Sequence, residues 1–158
     1  MDNVEKGDQM DNVGRERNGA EEELRQLVLE RVEAVRTKDP VPLDARQAED
    51  VVTFEVIPSL VSRGKDMGRG ATRQWFDSYN GPIGYEVRDR EIVAEGDVGF
   101  CWFVYHVTGT TVAGTEVSMW VRATLGCRRI GGRWVIVHDH ESVPFDPETG
   151  EAIIGLAP

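Results

Sequence analysis

Several polar residues stand where the surrounding sequence is apolar, and each is of a type that moves protons or fixes charge. Glu55 interrupts the β-branched run Val51-Val52-Thr53-Phe54-Glu55-Val56-Ile57. If Thr53, Glu55 and Ile57 point inward, Glu55 is a half-buried carboxyl with a raised pKa, suited to proton transfer. On an edge strand it is a surface charge. His106 lies among aromatics in Phe100 to Val107 and titrates near neutral pH, so it can serve as general base or donor, or as a core histidine with one hydrogen bond. Arg122, within Trp120-Val121-Arg122-Ala123-Thr124, needs an acidic partner or an anionic ligand if buried. Glu55 could be that partner in a purely structural pair. His138-Asp139-His140-Glu141 alternates two imidazoles with two carboxylates, so on a strand each pair has its own face. A metal would need a third ligand beside His138 and His140, and His106 could supply one; the reading adopted here has no metal and no cofactor. Neither a nucleophile elbow, a phosphate loop nor a dinucleotide fingerprint occurs.

Positioning these groups falls to helices first and strands after. Leu24, Leu27, Val28, Val32 and Val35 recur at helical spacing, and the helix should end near Lys38, before Asp39-Pro40. A short second helix fits Val41 to Ala48, with Pro42 early in it. A strand follows over 51–57, then a loop over Arg63 to Gly70, then a third helix from Ala71 to Tyr79 carrying Trp75. From Ile83 onward the chain reads as four strands, 83–93, 98–110, 115–129 and 133–143, joined by short glycine-bearing links. Short links imply antiparallel neighbours. The pattern predicts an α+β fold: a curved antiparallel sheet, cone-shaped, with about three N-terminal helices on its concave face.

A turn centred near Val112 sets Cys101 opposite Ala123. One face then carries Phe100, Trp102, Val104 and His106 with Trp120, Arg122 and Thr124; the other carries Cys101, Phe103 and Tyr105 with Met119, Val121 and Ala123. The first is taken as the pocket face. Helices can cover only one face, so the other is expected to meet a second subunit across the convex side of the sheet. This register puts Cys127 about 13 Å from Cys101, too far for a disulfide. At Ile130-Gly131-Gly132 a three-residue loop places His138 and His140 on the pocket face; a two-residue Gly-Gly loop places Asp139 and Glu141 there.

The chain has 158 residues and a net charge of -10, which suits one acidic domain and argues against nucleic acid or an anionic membrane as partner. Residues 1–19 are polar and aperiodic and read as a disordered arm, leaving 20–158 as the domain. With no apolar span, no visible secretory leader and two cysteines outside metal spacing, the expected location is the cytoplasm.

The tail Gly132-Arg133-Trp134-Val135-Ile136-Val137-His138-Asp139-His140-Glu141-Ser142-Val143-Pro144 resembles the closing strand of SnoaL-like domains. These belong to the superfamily of nuclear transport factor 2 and ketosteroid isomerase. Trp120 to Thr124 is similar too, as is Phe54-Glu55 followed by Pro58 and Arg63-Gly64. The resemblance implies a cone-shaped barrel over about residues 20–158, with a pocket between helices and sheet and dimerisation through the sheet. It implies no single activity, since members include isomerases, epoxide hydrolases, cyclases and non-catalytic modules such as the association domain of calmodulin-dependent kinase. Where ketosteroid isomerase has an Asp base before a Pro, this chain has Ile57, with Glu55 two residues earlier on the same face. The oxyanion donors of that enzyme, and the paired Asp and Arg of limonene-epoxide hydrolases, are not evident in the sequence.

The expectation is therefore a small-molecule enzyme of isomerase, lyase or cyclase type, acting on an apolar, polycyclic or polyketide-like substrate. Glu55, His106 and His140 would be catalytic; Trp75, Trp102, Trp120, Arg122 and His138 would bind substrate. The alternative is a non-catalytic ligand-binding or dimerisation module.

Overall fold

The computed structural model describes the backbone of residues 2–158 and the side chains from Asn18 onward. The arm expected over 1–19 lies outside the fully described residues but for Asn18 and Gly19. Three helices, α1 (Asp2–Thr37), α2 (Pro40–Ala45) and α3 (Lys65–Asp77), accompany six strands. The strands are β1 (Gln47–Phe54), β2 (Ser62–Arg63), β3 (Gly84–Glu95), β4 (Val98–Thr110), β5 (Glu116–Ile130) and β6 (Arg133–Ser142).

On α1, Leu24, Leu27, Val28 and Val35 are buried, as their spacing predicts. Lys38 then turns left-handed at φ 57, and Asp39 caps α2 by accepting the Val41 N–H. Helix α3 starts well before the expected Ala71. Gly68 and Gly70 make its first turns read as loop, yet Lys65 and Arg69 both reach Asp44 on α2, at 3.7 and 2.8 Å, and hold those turns in place.

The sheet runs β2-β1-β6-β5-β4-β3 and does not close. It is mixed, not wholly antiparallel: β1 lies parallel to β6. Short links dictate antiparallel pairing from β3 to β6, but β1 is separated from β6 by most of the chain and is free of that rule. Strand β2 completes the edge by pairing Val52 with Arg63.

Two register details decide what faces what. The β4–β5 turn spans 111–115 and centres one residue later than expected, so Cys101 faces Leu125. That shift of two leaves the faces unchanged but brings Cys101 and Cys127 to diagonal positions, so the expected wide separation does not hold. The β5–β6 hairpin is the two-residue form, with Ile130 opposite Arg133 and Gly131 and Gly132 left-handed at φ 58 and 77. A bulge follows: Cys127 pairs with Ile136 but Gly126 pairs with His138, so Val137 is the extra residue. The bulge reverses the alternation. Trp134 and Ile136 face the core before it, and Asp139 and Glu141 after it.

The helices cover the face of Cys101, Phe103, Tyr105, Val121, Ala123 and Leu125, all buried. Covering the opposite face would have buried Arg122, Thr124 and His106 instead. Among the described residues no helix is long and apolar enough to cross a membrane.

Candidate functional site

Between the helices and this inner face lies a cavity of about 150 Å³. Leu27, Val35, Leu43, Val56, Trp75, Val107, Met119 and Ile136 supply apolar walls. Ile57, 52% exposed, and Ala71 mark where it meets solvent.

Its polar groups converge on Arg31. This residue projects from the apolar stripe Leu27–Arg31–Val35 of α1, so its guanidinium enters the cavity instead of solvent. Nη1 donates to Asp139 at 2.8 Å, Nη2 to Glu141 at 2.6 Å, and Nε to the Tyr85 hydroxyl at 3.2 Å. Burial works against the charge on Arg31, but Asp139, Tyr85 and Glu141 outweigh it and keep the guanidinium firmly protonated.

Two carboxyls there have raised pKa values. Burial, with Asp139 beside it, raises Glu141 to about 7, against the pull of Arg31 and of the Tyr105 hydroxyl. Glu55 follows the last residue of β1 and lines the same cavity. Burial raises its pKa, with Asp139 adding to the effect. Tyr85 and Tyr105 stack at 4.5 Å, and burial pushes both phenols well up, so they stay neutral. One oxygen of this network has no partner. Oδ2 of Asp139 meets Arg31, but Oδ1 is buried with no hydrogen-bond partner. Tyr85, accepting from Arg31, also keeps its own O–H to give.

Of the residues expected at the site, Glu55 and Trp75 line this cavity. Glu55 is not paired with Arg122. His106, Trp102, Trp120, Arg122, His138 and His140 all stand on the outer face, away from the helices. The correction concerns which face is the pocket, since the predicted grouping of these side chains holds. His106 stacks on Trp120 at 4.5 Å and meets Ser118 Oγ at 2.8 Å. Arg88 lies over the same indole. His138 donates its Nδ1–H to the Val52 carbonyl, and Phe54 packs edge-on against both His138 and His140. The three histidines do not meet at a common point.

Arg31, Asp139, Glu141, Tyr85 and Tyr105 are the cavity groups that the sequence-based choice of site omits. A lone arginine within an apolar helical stripe was the available signal for Arg31. Asp139 and Glu141 belong to the two-residue hairpin alternative, combined with a bulge the sequence does not announce.

The SnoaL-like domain family matches residues 24–146. An NTF2-like protein of unknown function from Pseudomonas putida KT2440 superposes with a TM-score of 0.82 at 32% identity, over 89% of this chain and 98% of its own. An NTF2-like protein from Streptomyces avermitilis, provisionally named a dehydratase, gives 0.67 at 16% identity, over 77% and 93%. A protein from Shewanella frigidimarina, provisionally named a ketosteroid isomerase, gives 0.61 at 19%, over 74% and 92%. The last two likenesses are of fold. No curated protein matches the chain.

Proposed function

The chain belongs to the SnoaL-like family, and on that premise we propose that it is a cofactor-free acid–base enzyme of isomerase, lyase or cyclase type. Glu141 moves the proton, Glu55 is the second carboxyl, and Tyr85 donates to the oxygen on which charge develops. Arg31 and Asp139 hold Glu141 in position.

The observation that carries this reading is a carboxyl with a pKa of about 7 in an apolar cavity beside an unsatisfied Asp139 oxygen. A general base works best when its pKa lies near the operating pH. A purely structural network would be fully hydrogen-bonded, and this one leaves one Asp139 oxygen unpaired. The cavity encloses one ring, so a polycyclic or polyketide-like substrate would rest its remainder against Ile57 and Ala71 at the mouth.

The test is deuterium wash-in. Full-length protein is incubated in D2O with cyclic ketones of one or two rings, and α-proton exchange is followed by NMR. Glu141→Gln should reduce exchange by about 100-fold or more, the usual contribution of a positioned base. Equal rates for wild type and variant would remove Glu141 from this role.

The protein is further proposed to act as a homodimer through its outer sheet face. There Val93, Val98, Phe100 and Trp102 are 51, 44, 51 and 43% exposed and form one patch on β3 and β4. A contiguous apolar patch on a sheet is a common subunit interface. A cytoplasmic location suits its two free thiols, Cys101 and Cys127.

A further inference from the structure

The cavity has a second polar wall that proton transfer by Glu141 does not use. Helix α3 turns Gly68, Ala71, Thr72 and Trp75 toward the cavity, at helical spacing. Against Gly68 stands Gln47, the first residue of β1, whose register partner on β6 is Ile136. Gln47 and Thr72 both line the cavity and are half-buried. Among the described residues neither side chain has a hydrogen-bond partner, yet none of their polar atoms is sealed from solvent. In this they differ from Asp139 Oδ1, which is sealed. A polar group that opens onto a cavity and is unpaired within the protein is free to meet a ligand.

Gln47 and Gly68 fit closely. A methyl group at position 68 would come within 3.2 Å of Gln47 Oε1. Glycine inside a helix costs roughly 0.5–1 kcal/mol relative to alanine, so α3 is weakest where the Gln47 amide lies against it. This wall is also formally neutral. Arg46, the residue before Gln47, is matched by Glu30 through bonds of 2.7 and 2.8 Å. The Gln47 amide offers both donors and an acceptor, and so does the Thr72 hydroxyl. Such groups suit an uncharged oxygen, either a hydroxyl or a carbonyl.

We infer that Gln47, with Thr72 one turn beyond Gly68, determines specificity by binding a second, neutral oxygen of the substrate. The substrate class is then a cyclic ketone that carries a further hydroxyl or keto group. This rests on the acid–base reading above and deepens it by naming what the substrate must carry. The ketone is enolised by Glu141 with Tyr85 donating to its oxygen. The second oxygen, held at Gln47, orients the ring so that one α-carbon is presented to Glu141.

Ketones matched in shape provide the test, in two lengths. One pair is cyclohexanone with a hydroxyl or a methyl group opposite the carbonyl. The other is the fused two-ring decalone with the same two groups on its far ring. The readout is α-proton exchange in D2O with the full-length protein, divided by the uncatalysed rate and counted only where Glu141→Gln reduces it. In at least one pair, wild type should exchange the hydroxy ketone with a kcat/KM about tenfold or more above its methyl partner, the worth of one hydrogen bond. Gln47→Leu should bring that ratio close to one, and Gln47→Asn, which withdraws the amide by one carbon, should lower it as well. No preference in either pair, or a preference that survives Gln47→Leu, overturns the inference while the acid–base reading stands on the exchange itself. A carboxylate in place of the hydroxyl giving the best substrate would also overturn it and move selection to Arg46. Absence of Glu141-dependent exchange with every ketone removes the acid–base reading, and this inference with it.

Discussion

Arg31 and Asp139 meet at 2.8 Å across the cavity although 108 residues separate them in sequence. The side chains are 14 and 5% exposed, so both charges have left water and each is compensated only within the cluster. Arg31→Leu should therefore destabilise the fold by about 3–5 kcal/mol, because the buried carboxyls of Asp139 and Glu141 would lose the cation that compensates them. Urea unfolding of the two proteins measures the difference. A variant as stable as wild type would mean that the pair contributes little.

Glu141 makes stability depend on pH. Its pKa is raised from 4.5 to about 7 on folding, so between those values the native state binds more protons than the unfolded chain. The stability this provides is complete below pH 4.5 and is lost as pH rises through 7. The shift corresponds to roughly 3 kcal/mol at most. Denaturant midpoints at pH 5 and pH 8 should differ in the direction of weaker folding at pH 8, and Glu141→Gln should reduce that difference. A Glu141→Gln protein with an unchanged pH response would assign the effect to other groups.

The two faces of the sheet should respond differently to substitution. His106→Ala and His140→Ala lie on the outer face and should leave ketone α-proton exchange at the wild-type rate. Glu55→Gln and Glu141→Gln line the cavity and should lower it. Loss of exchange in His106→Ala alone would move the chemistry to the other side of the sheet.

Trp102→Glu places a carboxylate in the middle of the exposed apolar patch, opposite Glu91 on β3. If that patch joins two copies, the variant should be monomeric by light scattering at concentrations where wild type is dimeric. A monomeric wild type would overturn the dimer, and a dimeric variant would argue for another surface.

Much of the architecture was legible in the residue order because its causes are local. The Leu24 to Val35 stripe fixed a helix, and four apolar strand runs with glycine links fixed the β3–β6 meander. The SnoaL-like tail supplied the same fold by resemblance. The site was legible only in part. Glu55 stands out as a charge in a β-branched run and Trp75 as a large side chain on an amphipathic helix. The choice of pocket face went the other way because His106 and Arg122 carry obvious chemistry. The helices follow burial, however, and the continuous apolar face from Cys101 to Leu125 is the one they cover. The parallel β1–β6 pairing is a long-range contact with no local signature, and α3 begins among glycines that read as loop.

The single extra residue in β6 carries a further consequence. Because Val137 reverses the alternation, removing it would rotate the end of the strand by half a turn. His138 and His140 would then enter the cavity, and Asp139 and Glu141 would leave it. The same hairpin thus stores two reagent sets, imidazoles on one side and carboxylates on the other, and one codon decides which of them a ligand meets.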